Sequence, residues 1–264
     1  MERLESKEEV RSSVAQARRD GRTLALVPTM GALHEGHLSL VRAARERADV
    51  VTVSIFVNPT QFAPNEDLDR YPRDIEGDIA KLQAEGADFV FTPGVEEMYP
   101  PGAVTSVDPG PLATVLEGEV RPTHFAGVAT IVAKLFAITS PDLAFFGEKD
   151  YQQLLVVRAL ARDLDCPVTV VGCPVVRELD GLAMSSRNVH LSREQRAAAP
   201  VLYRALTEAV RKAEHGQASV AVVEAAMTEA LAYEPLLLAD YAVVRDAQTL
   251  EPGGPVRGLS LIHI

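Results

Sequence analysis

The chain has 264 residues, with 26 Lys and Arg against 37 Asp and Glu, for a formal net charge of −11. Hydrophobic residues make up 47% and charged ones 24%, which excludes a disordered or fibrous chain and fits one large domain or a large plus a small one, able to bury a core without disulfide or metal staples. The acidic balance argues against a broad nucleic-acid face, no apolar run approaches the ~20 residues of a membrane helix, and the charged N-terminus MERLESKEEVRSSVAQARRDG lacks an apolar signal core.

Ser6 and Glu9 have the spacing of a capping box, and Gly21 can close the helix they open. Apolar runs follow at residues 24–27, 50–57, 88–91, 142–146 and 167–176, rich in Val, Ile and Phe and mostly without polar alternation. That pattern predicts strands buried on both faces. Segments with helical spacing separate them, at residues 37–48, 74–85, 124–138 and 149–164; in the third, Phe125, Val128, Val132 and Leu135 fall on one face. The alternation predicts an α/β domain over residues 1–176, a doubly wound parallel sheet with helices on both sides. Cys166 and Cys173, the only cysteines, form no CxxC pair and read as reduced thiols of a cytoplasmic protein. Beyond about Val176 the character changes. Ser192 and Gln195 form another capping box, opening a long helix to about Glu214; Gly216 interrupts, a second helix runs to about Tyr233, and residues 237–244 read as a strand. Residues 177–264 are therefore expected to form a smaller α+β domain.

The strongest local signal is PTMGALHEGH, Pro28 to His37, between the first apolar run and a helix beginning near His37. Ligands of an open parallel sheet bind beyond the carboxyl ends of its strands, and a helix start there offers free N–H groups to a phosphate. Gly31 and Gly36 allow close backbone approach, while His34 and His37 supply donors at i and i+3. The Gly31–Gly36 spacing is not a P-loop, because His37 and Leu38 stand where Lys and Ser/Thr belong. HEGH lacks zincin spacing and has no third ligand nearby. An ordinary turn with two histidines remains open. VNPTQF carries Asn58 and Gln61, whose amides suit hydroxyl or carboxylate oxygens, or merely a polar turn. Asp74 and Asp78 open a helix, where they could hold Mg²⁺ through water or simply be solvated. Arg121 and His124 precede an apolar helix; Arg121 suits a substrate carboxylate or a neighbouring acid. FGEKDYQQ repeats the strand-to-helix pattern, with Lys149 in a first helical turn and Gln153 one turn on, and MSSRN adds two hydroxyls and a guanidinium.

Together and in this order, PTMGALHEGH, VNPTQF, RPTHFAGV, FGEKD and MSSRN resemble the pantothenate synthetase family (pantoate–β-alanine ligases), within the wider nucleotidyltransferase superfamily that carries HxGH-type elements. The likeness runs from about Thr23 to Asn188 and more loosely beyond. It implies a Rossmann-like first domain, a lid-like second one, homodimers, and the ATP-dependent condensation of pantoate with β-alanine through pantoyl adenylate, giving pantothenate, AMP and pyrophosphate. It implies an ATP site of Met30, Gly31, Ala32, Leu33, His34, Glu35, Gly36 and His37, completed by Gly147, Glu148, Lys149 and Asp150, by Val176, and by Met184, Ser185, Ser186 and Arg187. His34, His37 and Lys149 would be catalytic, with His37 as proton donor. Gln61 and Gln153 would hold pantoate, with Asn58, Arg121 and His124 nearby, and Asp78 would meet a phosphate-bound Mg²⁺. His34, His37, Lys149, Arg187 and two helix N-termini are then expected to form a positive pocket in an acidic protein. The family pattern ends in an Arg-Leu-Ile-Asp type strand, whereas this chain ends RGLSLIHI, Arg257 to Ile264. Another HxGH-type nucleotidyltransferase, acting on a small phosphorylated acceptor, is the alternative, and Gln61 with Gln153 favours a hydroxy acid over it. A nucleotide-sensing or RNA-binding module is a third reading, with the acidic balance against RNA.

Overall fold

Ser6 opens the first long helix as its spacing predicts: its hydroxyl accepts the Glu9 N–H while the Glu9 carboxylate takes the Ser6 N–H at 3.0 Å. The computed structural model describes residues 1–214 and 219–253 and the backbone of 260–263. It divides into two units, Met1–Val176 and Arg177–Ile264.

In the first unit the order is β1 (Glu2–Leu4), α1 (Lys7–Arg19), β2 (Leu24–Thr29), α2 (Glu35–Arg45), β3 (Val50–Ile55), α3 (Ile75–Ala84) and β4 (Phe89–Phe91). There follow the one-turn helices α4 (Val95–Met98) and α5 (Glu117–Val120), then α6 (His124–Thr139), β5 (Leu143–Gly147), α7 (Tyr151–Asp163) and β6 (Thr169–Cys173). All six strands are parallel, in the order β1-β4-β3-β2-β5-β6. Alternate side chains leave opposite faces of a strand. Leu24, Leu26, Val50, Phe91, Ala144 and Phe146 therefore pack with Val128, Val132, Leu135 and Leu154, while Ala25, Val27, Val51, Val53, Val90 and Phe145 pack with Leu40, Val41, Ala44 and Leu82. Both faces are covered, as non-alternating apolar runs require. Phe125, Val128, Val132 and Leu135 are all buried, each contributing about 1.5–3 kcal/mol to anchoring α6.

The chain reverses its winding between β2 and β5, so the loops leaving these two neighbours flank the crevice where an open α/β sheet binds ligands. Pro28 helps to open it. The Asp142 N–H bonds the Leu24 carbonyl, whereas Thr23 and Thr29 carbonyls accept from β3, so even-numbered residues of β2 face β5. Pro28 therefore withholds its missing N–H from the β5 side. Pairing between these strands stops at Leu26 with Ala144, while β2 stays paired with β3 to Thr29.

The second unit holds α8 (Arg193–Ala198), α9 (Val201–Glu214), α10 (Val220–Ala232) and an antiparallel pair, β7 (Val243–Asp246) with β8 (Ser260–His263). Ala209, Val223, Met227 and Val244 form its core, with Val201, Ala205 and Leu231 beside them.

Several boundaries differ from expectation. The strand β1 was not foreseen, because three residues with only Leu4 buried leave no apolar run; it caps the sheet edge beside β4. The long helix after Ser192 is two helices, since Pro200 supplies no N–H to continue the first. The expected strand at 237–244 reduces to β7, beginning at Val243. Lys149 lies in a 3-10 turn, Glu148–Asp150, before α7 rather than in the α-helix itself. The break expected at Gly216 lies outside the described residues.

Candidate functional site

The loop between β2 and α2 turns on two successive left-handed residues, Gly31 at φ +85° and Ala32 at φ +50°. A Cβ at Gly31 would sit 3.0 Å from Ile55 Cγ2 and 3.2 Å from Asp78 Oδ2, so this position needs glycine twice over. Thr29 ties the loop start to the sheet: its hydroxyl donates to the Ser54 carbonyl at 2.8 Å and accepts the Gly31 N–H at 3.2 Å. From α3, Asp78 takes the Ala32 and Leu33 N–H groups on its two oxygens, each at 2.7 Å. Lys81, one turn on, donates to the Leu33 carbonyl at 2.8 Å.

The helix α2 begins at Glu35, two residues before the expected start, with His34 as its N-cap. His34 Nδ1 accepts the Gly36 N–H at 3.1 Å, and His37 Nδ1 accepts the His34 N–H at 3.4 Å. With both Nδ1 atoms accepting, each neutral ring carries its proton on Nε2, which is the donor left for a ligand. The rings lie against each other, centroids 4.1 Å apart. The cap also uses N–H groups expected to be free: Gly36 gives to the His34 ring and His37 to the His34 carbonyl.

Burial lowers the His37 pKa to about 3, with the neighbouring His34 adding to it. Burial likewise lowers His34, helped by the charges of Lys149 and Lys81. The two histidines are therefore neutral at physiological pH. They offer dipoles rather than charge, which corrects their place in the expected positive pocket; the cations beside them are Lys149 and Lys81. Lys149, which follows β5, acts on both rings through its charge and pairs with Asp150 at 3.2 Å.

Gln61 closes the other side. Its Nε2 donates to Met30 Sδ at 2.9 Å, bringing together residues 31 apart in sequence. It rides on a 3-10 turn, Pro59–Gln61, capped by Asn58. Asn58 is 1% exposed, and its amide is fully engaged: Nδ2 donates to Gln61 Oε1 and the Gly127 carbonyl, while Oδ1 accepts from the Tyr99 and Thr60 hydroxyls. It holds the turn and does not face a ligand. Arg121 forks onto Glu66 and also meets Glu117 at 3.1 Å, so it answers a neighbouring acid rather than standing open to a substrate. Arg121 holds the Glu66 carboxyl below the usual range. His124 Nδ1 donates to the Gln61 carbonyl at 2.9 Å.

Asp78, the residue expected at the Mg²⁺, is 1% exposed and accepts one loop N–H on each oxygen, so in this structure it clamps residues 32 and 33. Among the described residues no group of three His, Cys, Asp or Glu side chains is placed to hold a metal. Gln153 is half-exposed on α7, whereas its neighbour Gln152 is buried and holds the Leu112 and Val115 carbonyls at 2.8 Å. Glu35 is exposed and pairs with Arg42, and Val176 is half-buried at the end of the first unit. In the second unit Ser185 caps a 3-10 turn, Ser186–His190, accepting the Arg187 N–H at 3.3 Å; Ser186 is buried and Met184 half-buried. Lys81 and Tyr99 were missed. Lys81 had a signal in its i+3 spacing from Asp78, while Tyr99 had none.

The neutral rings also set a pH dependence. An unfolded histidine binds a proton near pH 6.5, and the folded His37 refuses it until about pH 3. Between those values the unfolded chain holds more protons, so stability falls as pH falls, by up to about 1.4 kcal/mol per pH unit for each such ring. Melting temperatures from pH 7.5 to 5.0 are expected to decline more steeply for the wild type than for His37→Ala; parallel curves would count against a neutral buried His37.

The family model for pantoate-beta-alanine ligase matches residues 2–262. The chain belongs to the pantoate–β-alanine ligase family. It is 58% identical over 228 residues to the pantothenate synthetase of Roseiflexus sp. (strain RS-1), covering 86% of this chain and 82% of that one. It is 51% identical to that of Moorella thermoacetica over 264 residues, 100% of this chain and 93% of the other. A crystal structure of pantothenate synthetase from Thermus thermophilus superposes with a TM-score of 0.94 at 51% identity, covering 98% of this chain and 92% of that one. A Francisella tularensis pantoate-beta-alanine ligase, complexed with beta-gamma ATP and beta-alanine, matches with a TM-score of 0.76 at 35% identity, over 88% and 86% of the two chains. The two-sided parallel sheet of this ligase family member is the Rossmann-like fold that the motifs implied. No described helix is long and apolar enough to cross a membrane.

Proposed function

We propose that the crevice between β2 and β5 binds ATP and pantoate and joins pantoate to β-alanine in two steps. A pantoate carboxylate oxygen attacks the α-phosphorus of ATP, and the bond to pyrophosphate breaks. The β-alanine amine then attacks the acyl carbon of pantoyl adenylate, releasing AMP and leaving pantothenate. The observation that carries this reading is the meeting at one crevice of two adjacent neutral histidines, whose Nε2–H groups remain as donors, with the charge of Lys149. Fixed donors of this kind stabilise charge developing on transferring phosphate without a covalent enzyme intermediate. His34, His37 and Lys149 are assigned to the phosphates, Gln61 beside Met30 and Gln153 to pantoate, and Met30 to His37 with Gly147 to Asp150 and Val176 to the nucleotide. Met184, Ser185, Ser186 and Arg187 are assigned to ATP. Mg²⁺ would enter with the triphosphate as part of the substrate and offset its charge. A cytoplasmic homodimer completes the reading.

ATP–pyrophosphate exchange is expected to require pantoate but not β-alanine. Mass spectrometry of the complete reaction is expected to find AMP and pantothenate. Exchange without pantoate, ADP as product, or a stable nucleotidylated acceptor would overturn the assignment, the last in favour of a different nucleotidyl transfer.

A further inference from the structure

We infer that Asp78 is a positioning residue of this site: its carboxylate locks the left-handed Gly31–Ala32 turn and thereby sets where His34 and His37 present their Nε2–H groups. The inference rests on the assignment of those histidines to the ATP phosphates. A buried carboxylate persists only where hydrogen bonds replace its water, and charge-assisted bonds from backbone N–H groups do this best. Asp78 meets that condition with one N–H on each oxygen, at 2.7 Å, from Ala32 and Leu33. The turn through Gly31 and Ala32 points the successive Ala32 and Leu33 N–H groups at one carboxylate, in the manner of a backbone concavity that binds an anion. Here the anion is supplied by the protein itself.

The grip is two-sided. Lys81 holds the Leu33 carbonyl at 2.8 Å and lies 3.6 Å from Asp78 Oδ1, so Leu33 is fixed through both its N–H and its carbonyl. Gly31 completes the fit, since a side chain there would press on Asp78 Oδ2. Leu33 is followed directly by His34, which caps α2 and bonds the His37 ring. The path from Asp78 to both imidazoles is therefore one residue of backbone and two hydrogen bonds, with no flexible side chain to absorb a shift.

The test is Asp78→Asn, nearly isosteric, which keeps one acceptor oxygen and sets an amide NH₂ against the second backbone donor. ATP–pyrophosphate exchange is expected to fall about 10- to 100-fold, the range for displacing catalytic groups by an ångström or less. Formation of pantothenate from supplied pantoyl adenylate and β-alanine, which needs no triphosphate, is expected to stay within about twofold of wild type. Simple loss of folded protein would lower both reactions together. In a His37→Ala background the same change is expected to cost less than in the wild type, because Asp78 acts in part through that ring. Equal losses in both half-reactions, full additivity with His37→Ala, or a shift in the Mg²⁺ concentration for half-maximal exchange would overturn the inference, the last by making Asp78 an ion ligand. Amide hydrogen exchange at Ala32 and Leu33 reads the clamp without activity: protection lost in Asp78→Asn supports it, and unchanged protection refutes it. Should His37→Ala leave exchange intact, the histidine assignment fails while the amide measurement still decides the clamp.

Discussion

Replacing His37 with alanine is expected to slow ATP–pyrophosphate exchange about 10²–10³-fold, the cost of removing one preorganised donor from a charge-stabilising site. The ring sits in the first turn of α2, where its Nδ1 accepts only a long bond from the His34 N–H. Loss of that bond costs about 1 kcal/mol of helix capping, too little to unfold the domain. His37→Gln separates two roles that alanine confounds. Glutamine keeps an N–H donor near the Nε2 position but cannot act as an acid, so partial recovery of exchange is expected if the ring works as a neutral donor. The depressed pKa of His37 requires the same thing. The exchange rate is then expected to show no imidazolium titration between about pH 6 and 8. A turnover within threefold of wild type in His37→Ala would remove the residue from the adenylation step.

Gly127→Ala is expected to be among the most damaging single methyl additions in the first unit. A Cβ there would press on the Thr60 carbonyl oxygen and lie 2.6 Å from the Gln61 nitrogen, both backbone atoms that cannot rotate away. The Gly127 carbonyl also receives the Asn58 amide at 3.1 Å. Alanine favours a helix over glycine by about 1 kcal/mol, whereas forcing extra volume into a packed contact typically costs about 1–3 kcal/mol and more where backbone must move. The clash wins, and α6 must part from the 59–61 turn. A net loss of about 1–2 kcal/mol lowers the melting temperature by roughly 2–8 °C in a chain of this size. Gln61 rides on the displaced turn, so the KM for pantoate is expected to rise more than that for ATP. An unchanged or raised melting temperature would show that the turn yields without cost.

The alternating plan of strands and helices was legible because each buried strand needed its own apolar run, and the placing of His34 and His37 was legible because two glycines followed the first of these runs. What the sequence did not carry was long-range. Asp78 and Lys81 lie over 40 residues from the loop they hold, and an acid at a helix start looks the same whether it faces water, an ion or a pair of buried N–H groups. The 3-10 turn at Glu148–Asp150 moved the start of α7 by two residues, enough to decide which of Gln152 and Gln153 is buried. Asn58 stood open between a ligand-binding amide and a polar turn; it caps the turn, held by partners from α6 and Tyr99 that are remote in sequence. Gly127 went unread, although a glycine inside an apolar helix can mark a close approach.

Pro28 couples two properties that are usually adjusted separately. The same missing hydrogen that ends the β2–β5 ladder at Leu26 leaves room between the loops carrying the histidines and Lys149. Any residue able to donate there can add a rung, knitting the two halves of the sheet further toward their carboxyl ends. Thermostabilising design that targets an imino acid in a central strand would thus gain cohesion by narrowing the cleft, exchanging turnover for melting temperature.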